Sequence, residues 1–142
     1  MRNIKEVFIN GVNLEEILDK HEKWLKHEKD GAKADLSGIN LNNIDLRCID
    51  LTYADLSYVN LTGADLSGAY LSDIDLSCTD LSDANLKDAN LTGADLAYAD
   101  LSNANLNNAR LKNANLTYAD LKDANLKNAN LKDANLTGTI RC

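Results

Sequence analysis

From Leu36 to Leu136 a leucine recurs at every fifth position without a slip, 21 times in register. Neither regular secondary structure carries such a period. Five residues of α-helix turn about 500°, so successive leucines would lie roughly 140° apart and spiral around the axis. On an unbroken strand an odd spacing sends each leucine to the face opposite its predecessor. What fits is a unit of three extended residues pointing in, out and in, followed by a two-residue corner that resets the face. The slots agree with this unit. Two residues before each leucine stands a small or branched apolar residue: Ala34, Ile39, Ile44, Ile49, Ala54 and Val59, and mostly Ala thereafter. The outward slot between them is Asp or Asn everywhere except at Tyr70 and Arg110. The corner slots draw largely on Ser, Thr, Lys, Asn, Asp, Gly and Tyr, mostly residue types that turns favour. The chain therefore winds as a coil with its Leu and Ala stripes inside. Successive coils pair through their backbones, and Pro, absent from the whole chain, would remove a donor from that ladder.

Units such as Ala-Asp-Leu-Ser-Gly (Ala64–Gly68) and Ala-Asn-Leu-Lys-Asp (Ala84–Asp88) resemble the signature of the pentapeptide-repeat family, over about residues 34–140. The resemblance implies an all-β solenoid, a right-handed quadrilateral parallel β-helix with four repeats per coil. Handedness and number of sides come from the resemblance and not from the spacing. On that plan the chain has about five coils and, at about 4.8 Å per layer, a ladder about 25 Å long.

Residues 1–33 lie outside the repeat and are expected to form an N-terminal cap, with residues 34–142 as the solenoid. Val7, Phe8 and Ile9 suggest a short strand and Gly11 a turn. Asn13 followed by Glu16 reads as a capping pair opening a helix that Gly31 ends. Leu14, Ile17, Leu18, His21, Trp24 and Leu25 fall on one face at helical spacing. That face is expected to cover the open hydrophobic end of the first coil, where the larger inner residues Ile39, Ile44 and Ile49 stand. His27 is expected at the surface. The stretch Leu18–Leu25 followed by Gly31–Leu36 resembles a lead-in found in many bacterial members of the family.

With four repeats per coil, residues 20 apart stack in columns. One outward column is Asp35, Asp55, Asp75 and Asp95, then Asn115 and Asn135; beside it at the second corner position run Tyr58, Cys78, Tyr98 and Tyr118. This acidic and aromatic face is the candidate interaction surface. Lys112 and Lys132 share another column, as do Lys87 and Lys127. The formal net charge of -7 is uneven along the axis. Residues 34–86 hold nine Asp against Arg47 alone, a net of -8, whereas residues 87–142 come to +1. Such a surface favours basic protein partners and disfavours direct contact with nucleic acid. At the far end Leu121, Leu126, Leu131 and Leu136 are expected to show their inner faces, with an unpaired strand edge that invites a second chain. A homodimer through that end competes with a monomer in which Ile140 folds over it as a plug.

Catalysis finds no support. Both histidines are in the first 33 residues, and the serines are corner residues at repeat-fixed spacing. No Ser/His/Asp or Cys/His constellation can be assembled, and no Gly-rich phosphate loop exists. No cofactor or metal is expected; a cation shared by stacked carboxylates is conceivable but not chosen. Cys48 and Cys78 fall in different columns and are expected as free thiols, as is Cys142. No continuous apolar run marks a leader or a membrane span, so a cytoplasmic protein is expected. Two functional readings stand. One is a protein-interaction solenoid; some members that the family resemblance brings in mimic DNA and occupy the groove of gyrase or topoisomerase. The other is a passive structural or scaffold protein with an unknown partner and no DNA-mimic role.

Overall fold

The computed structural model describes residues 1–141; the expectation for Cys142 lies outside the described residues. In the solenoid every strand contact joins residues 20 apart in parallel, from Asp35 with Asp55 to Asp120 with Ile140. Four pentads therefore close one turn, and the coil is four-sided. Side one carries Leu36, Leu56, Leu76, Leu96, Leu116 and Leu136; sides two, three and four begin at Leu41, Leu46 and Leu51. Each side ends in the corner formed by the two residues after its leucine.

The pentad works as the slots predict. From Leu36 to Leu121 each repeat leucine N–H donates one coil onward, as Leu86 does to the Asn105 carbonyl at 2.8 Å. From Asp55 onward each outward residue donates one coil back, as Asn105 does to Ala84 at 2.9 Å. The corner closes on itself when the N–H three residues on reaches the leucine carbonyl, as Ala84 does to Leu81 at 3.1 Å. At every second corner position the backbone is left-handed, with φ between 52° and 70°. Asn, Asp and Gly adopt that region at little cost, other residues less readily. Every Asp or Asn in the outward slot accepts a hydrogen bond at Oδ1 from the first corner N–H two residues on, from Asp35 with Ser37 at 3.1 Å to Asn135 with Thr137 at 3.1 Å. The inward slots make one continuous core from Ala34 to Leu121. Its single polar intruder, Thr79, is satisfied by donating through Oγ1 to the Leu56 carbonyl at 2.7 Å.

The cap is more elaborate than the sequence predicts. Arg2 pairs in parallel with Ile44, its N–H donating to Asn43 and its carbonyl accepting from Asp45, and so adds a strand residue ahead of coil one. A 3₁₀ turn, Ile4–Glu6, follows. The expected strand is half of a hairpin, β1 (Phe8–Ile9) against β2 (Val12–Asn13), turned at Asn10 and Gly11 with φ of 50° and 84°. Helix α1 (Leu14–Leu25) starts at Asn13, whose side chain accepts from the Glu15 N–H at 2.8 Å. The reciprocal half of the expected capping box does not form, because Glu16 is engaged by Lys20 one turn on.

The helix also ends earlier than Gly31. His27, exposed as expected, takes a φ of 56°, and the Glu28 N–H returns to the Lys23 carbonyl at 2.9 Å, so a histidine supplies the left-handed stop. Gly31 has a different task. A Cβ there would collide with the backbone of Lys23 and Trp24, lying 2.7 Å from the Trp24 Cα. Only glycine lets the chain pass so close to the helix on its way into coil one.

Leu14, Leu18 and His21 are buried, with Ile17, Trp24 and Leu25 half-buried around them. In coil one Ile44 is fully buried, while Ile39 and Ile49 pack at the core's margin. Trp24 stacks on His21 at 5.7 Å and meets Tyr53 edge-on at 6.3 Å. His21 Nδ1 accepts from the Ala34 N–H at 3.0 Å, which places the ring proton on Nε2. Burial lowers the His21 pKa and outweighs the Asp50 carboxylate and the Thr52 backbone, which favour the proton. The folded state therefore binds this proton less well than the unfolded chain does. Its contribution to stability is complete above about pH 6.5 and is lost as the pH falls below that. The melting temperature is expected to drop between pH 7 and pH 5, and a His21→Gln chain is expected to lack that drop. Thermal unfolding of both chains across this range is the check. A second expectation concerns packing: Ala104, fully buried, has no room to grow, so Ala104→Ile should cost about 1–3 kcal/mol in denaturant unfolding.

Candidate interaction faces

The closed coil shows which surface residues stand together. Asp35, Asp55, Asp75 and Asp95 form the outward column of side one, and Asp80, Asp100 and Asp120 that of side two. The corner between these sides carries Ser37, Ser57, Ser77, Ala97 and Thr117, and after them Gly38, Tyr58, Cys78, Tyr98 and Tyr118. The tyrosines thus stand on an edge with carboxylates to either side. The first Asp column is legible in the sequence; the second stands out only because sides one and two share this edge.

Turn chemistry accounts for much of the Asp pattern. Asp55 and Asp75 each accept at Oδ1 from the N–H and the hydroxyl of the serine two residues on, and Asp95 accepts from the Ala97 N–H. The same bonds from Ser37 hold the Asp35 carboxyl below the usual range. For Asp80 burial works against the charge, but bonds from Ser82 and Thr62 overcome it and the pKa is lowered. Turn chemistry does not account for the charge itself. Asn serves the corner equally well at Asn40 and Asn60, whereas stacked carboxylates repel one another. Where Asn follows Asp in a column the repulsion turns into a bond, as between Asn115 Nδ2 and Asp95 Oδ1 at 3.0 Å.

The tyrosines are less comfortable. Tyr58, Tyr98 and Tyr118 occupy the left-handed corner slot with φ of 59°, 59° and 57°, a conformation that costs a bulky residue on the order of 1–2 kcal/mol. They remain largely exposed, at 68%, 61% and 53%. Tyr98 and Tyr118 stack with ring centroids 5.3 Å apart. The corner side chains of Asn43, Cys48, Asp73 and Tyr118 reach toward the following coil, so the Tyr118 ring lies where a Cβ on Gly138 would stand. Glycine there leaves the ring its place.

At the far end the structure separates the five expected end residues. Leu121 is buried, because residues 135–140 begin a sixth coil and the Leu121 N–H donates to the Ile140 carbonyl at 2.7 Å. Leu126, Leu131 and Leu136 are half-buried. Ile140 is not a plug. It falls in the outward slot, pairs with Asp120 and is 52% exposed on side two. The leucine register dictates this, since Ile140 stands where Asp or Asn stands in other pentads.

Cys48 and Cys78 are unbridged, at different corners of different coils. Among the described residues no group of three or more His, Cys, Asp or Glu is placed to hold a metal ion, and no helix is long and apolar enough to cross a membrane.

Comparison with known proteins agrees with this geometry. The pentapeptide-repeat family matches residues 32–68, 74–113 and 104–140. The pentapeptide repeat protein Rfr23 of the cyanobacterium Cyanothece 51142 is 33% identical over 91% of this chain and 99% of its own, with a TM-score of 0.78. A pentapeptide repeat protein of the Arabidopsis thaliana thylakoid lumen is 35% identical over 66% of this chain and 68% of its own, with a TM-score of 0.55. QnrB1, a plasmid-mediated fluoroquinolone resistance protein, is a more distant likeness at 20% identity, 75% and 72% coverage and a TM-score of 0.39. No curated protein matches the chain. Such repeats build a right-handed quadrilateral β-helix, and the 20-residue period found here is that of four repeats per turn. The chain belongs to the pentapeptide-repeat family.

Proposed function

We propose that this protein is a non-catalytic interaction rod that docks a basic partner surface on the tyrosine edge between the Asp columns of sides one and two. One observation carries the reading: of the four exposed tyrosines held in left-handed backbone, where Asn, Asp or Gly would be less strained, Tyr58, Tyr98 and Tyr118 stand on this one edge, while Tyr53 packs against Trp24. A ring presented beside carboxylates attracts guanidinium and ammonium groups through its face, while the carboxylates supply charge. Stacking carboxylates where asparagine would serve the turn supports the same reading. The finer identity of the partner is the DNA groove of a gyrase or topoisomerase, supported by the net charge of -8 across residues 34–86. The alternative of a passive scaffold leaves the strained tyrosines without a purpose.

A labelled Arg-rich peptide is expected to bind the wild-type chain more weakly as salt is raised. It is expected to bind the Tyr98→Asn/Tyr118→Asn chain about tenfold less well, the loss of about 1–2 kcal/mol of ring–cation attraction. That variant should also melt higher, since Asn tolerates the left-handed slot. Equal peptide affinities in fluorescence anisotropy reject the edge. The gyrase identity is tested separately: the wild-type chain at micromolar concentration and low ionic strength should inhibit DNA supercoiling, and no inhibition removes that partner.

A second proposal rests on the far end. Leu126, Leu131 and Leu136 are half-buried where leucines of earlier coils are covered, and among the described residues the N–H groups of Leu126 and Leu131 have no backbone partner. A second copy laid on this face would bury both ends through one self-complementary contact. Sedimentation at tens of micromolar should show a dimer for the wild-type chain and for Ile140→Asp, and a monomer for Leu131→Asp. A monomeric wild type rejects it.

A further inference from the structure

Two pentads break the rule that governs all the others, and both lie on side four. Its outward column reads Asp50, Tyr70, Asn90, Arg110 and Asn130. Neither Tyr70 nor Arg110 offers an oxygen suited to the first corner N–H. Asn90 and Asn130, one coil to either side of Arg110, make that bond to Thr92 and Lys132 at 3.3 and 3.1 Å. At position 110 asparagine would therefore serve the fold better, and arginine stands there against local stability. A residue kept at a cost to its own turn is one whose surface chemistry matters.

The surroundings of Arg110 share its sign. Lys112 and Lys132 occupy the corner that closes side four, Lys87 and Lys127 the corner that opens it. All five cations are exposed, and among the described residues none of them forms an ion pair. The anions on the same corners are Asp88 and Asp133, which leaves the strip at +3 on a chain of net charge -7. Side two, across the coil, carries Asp80, Asp100 and Asp120 at the same levels. The near-neutral charge of residues 87–142 is thus a sideways separation of acid from base.

We propose that side four, from coil three to coil five, is a docking strip for an extended acidic segment of a partner protein. The strip is one strand and two corners wide, which suits a single extended chain. Carboxylates along such a segment meet the Arg110 guanidinium in a two-bond contact and the lysines along both corners. Exposed Tyr70, two coils before Arg110 in the same column, stands just beyond the strip, with Asp73 at the corner beside it. Duplex DNA fits less well, since its dense phosphate charge would also face Asp75 and Asp95 on the adjoining side one. The inference does not rest on the tyrosine edge between sides one and two, and it fails or stands separately.

The test sets stability against binding. Fluorescein-labelled oligoglutamate should bind the wild-type chain at low salt. Arg110→Asn should weaken that binding about tenfold, the order lost with one two-bond charge contact. It should also raise the melting temperature by about 2–5 °C, because the missing turn bond is restored. Lys112→Gln with Lys132→Gln should weaken binding without moving the melting temperature. Absence of oligoglutamate binding, unchanged affinity in Arg110→Asn, or a lower melting temperature in that chain overturns the proposal. Tighter binding of a DNA duplex than of oligoglutamate overturns it in favour of nucleic acid.

Discussion

The two-residue corner is the constraint on which the rest of this structure depends. Three extended residues place Ala and Leu inward with one polar residue outward between them; without a corner the next leucine would face solvent. The corner restores the face and leaves little backbone unpaired. The first corner N–H goes to an Asp or Asn Oδ1, the second goes to the next coil, and the following N–H returns to the leucine carbonyl. Buried or half-buried backbone groups demand such partners. This explains why Asp and Asn dominate a slot that points at solvent, where any polar residue would otherwise serve.

Because the corner recurs with the same geometry, each side chain finds its counterparts 20 residues away, directly above and below. Chemistry on this rod is therefore arranged in columns. Most outward and corner residues are those the turn prefers and carry little functional information. Informative residues are those the turn does not prefer: tyrosines in left-handed backbone, carboxylates stacked where asparagine would relieve repulsion, and Arg110 where an acceptor belongs. These exceptions gather on the edge between sides one and two and along side four, so the rod has two chemically distinct sides.

The first coil poses the opposite problem, since no preceding coil covers it. The chain solves this with unlike parts. Arg2 supplies a strand residue to the ladder, α1 lays Leu14, Leu18 and His21 over the opening, and Trp24 packs beside Tyr53 at its rim. His21 spans the two regions, accepting the Ala34 N–H where the repeat begins. A buried imidazole whose pKa is lowered makes this junction an acid-sensitive point of the fold.

The five-residue period, the slot preferences and the absence of Pro determine the solenoid and its inward stripes. Those features are local: each pentad repeats the same physical requirement, so the pattern is written 21 times over. The columns followed once four repeats per coil were assumed. The cap resisted the same reading because its bonds are single events. Arg2 finds its partner at Ile44, and Gly31 is needed for a close approach to Trp24 that no local signal announces. At the far end Leu121 is covered and Ile140 faces outward, contrary to expectation, because register, and not hydrophobicity, decides which way a side chain points. Only the closed coil revealed that side one shares an edge with side two, and that Lys87, Arg110 and Lys132 lie on one strip. Adjacency between columns is a property of the four-sided turn, and no single pentad contains it.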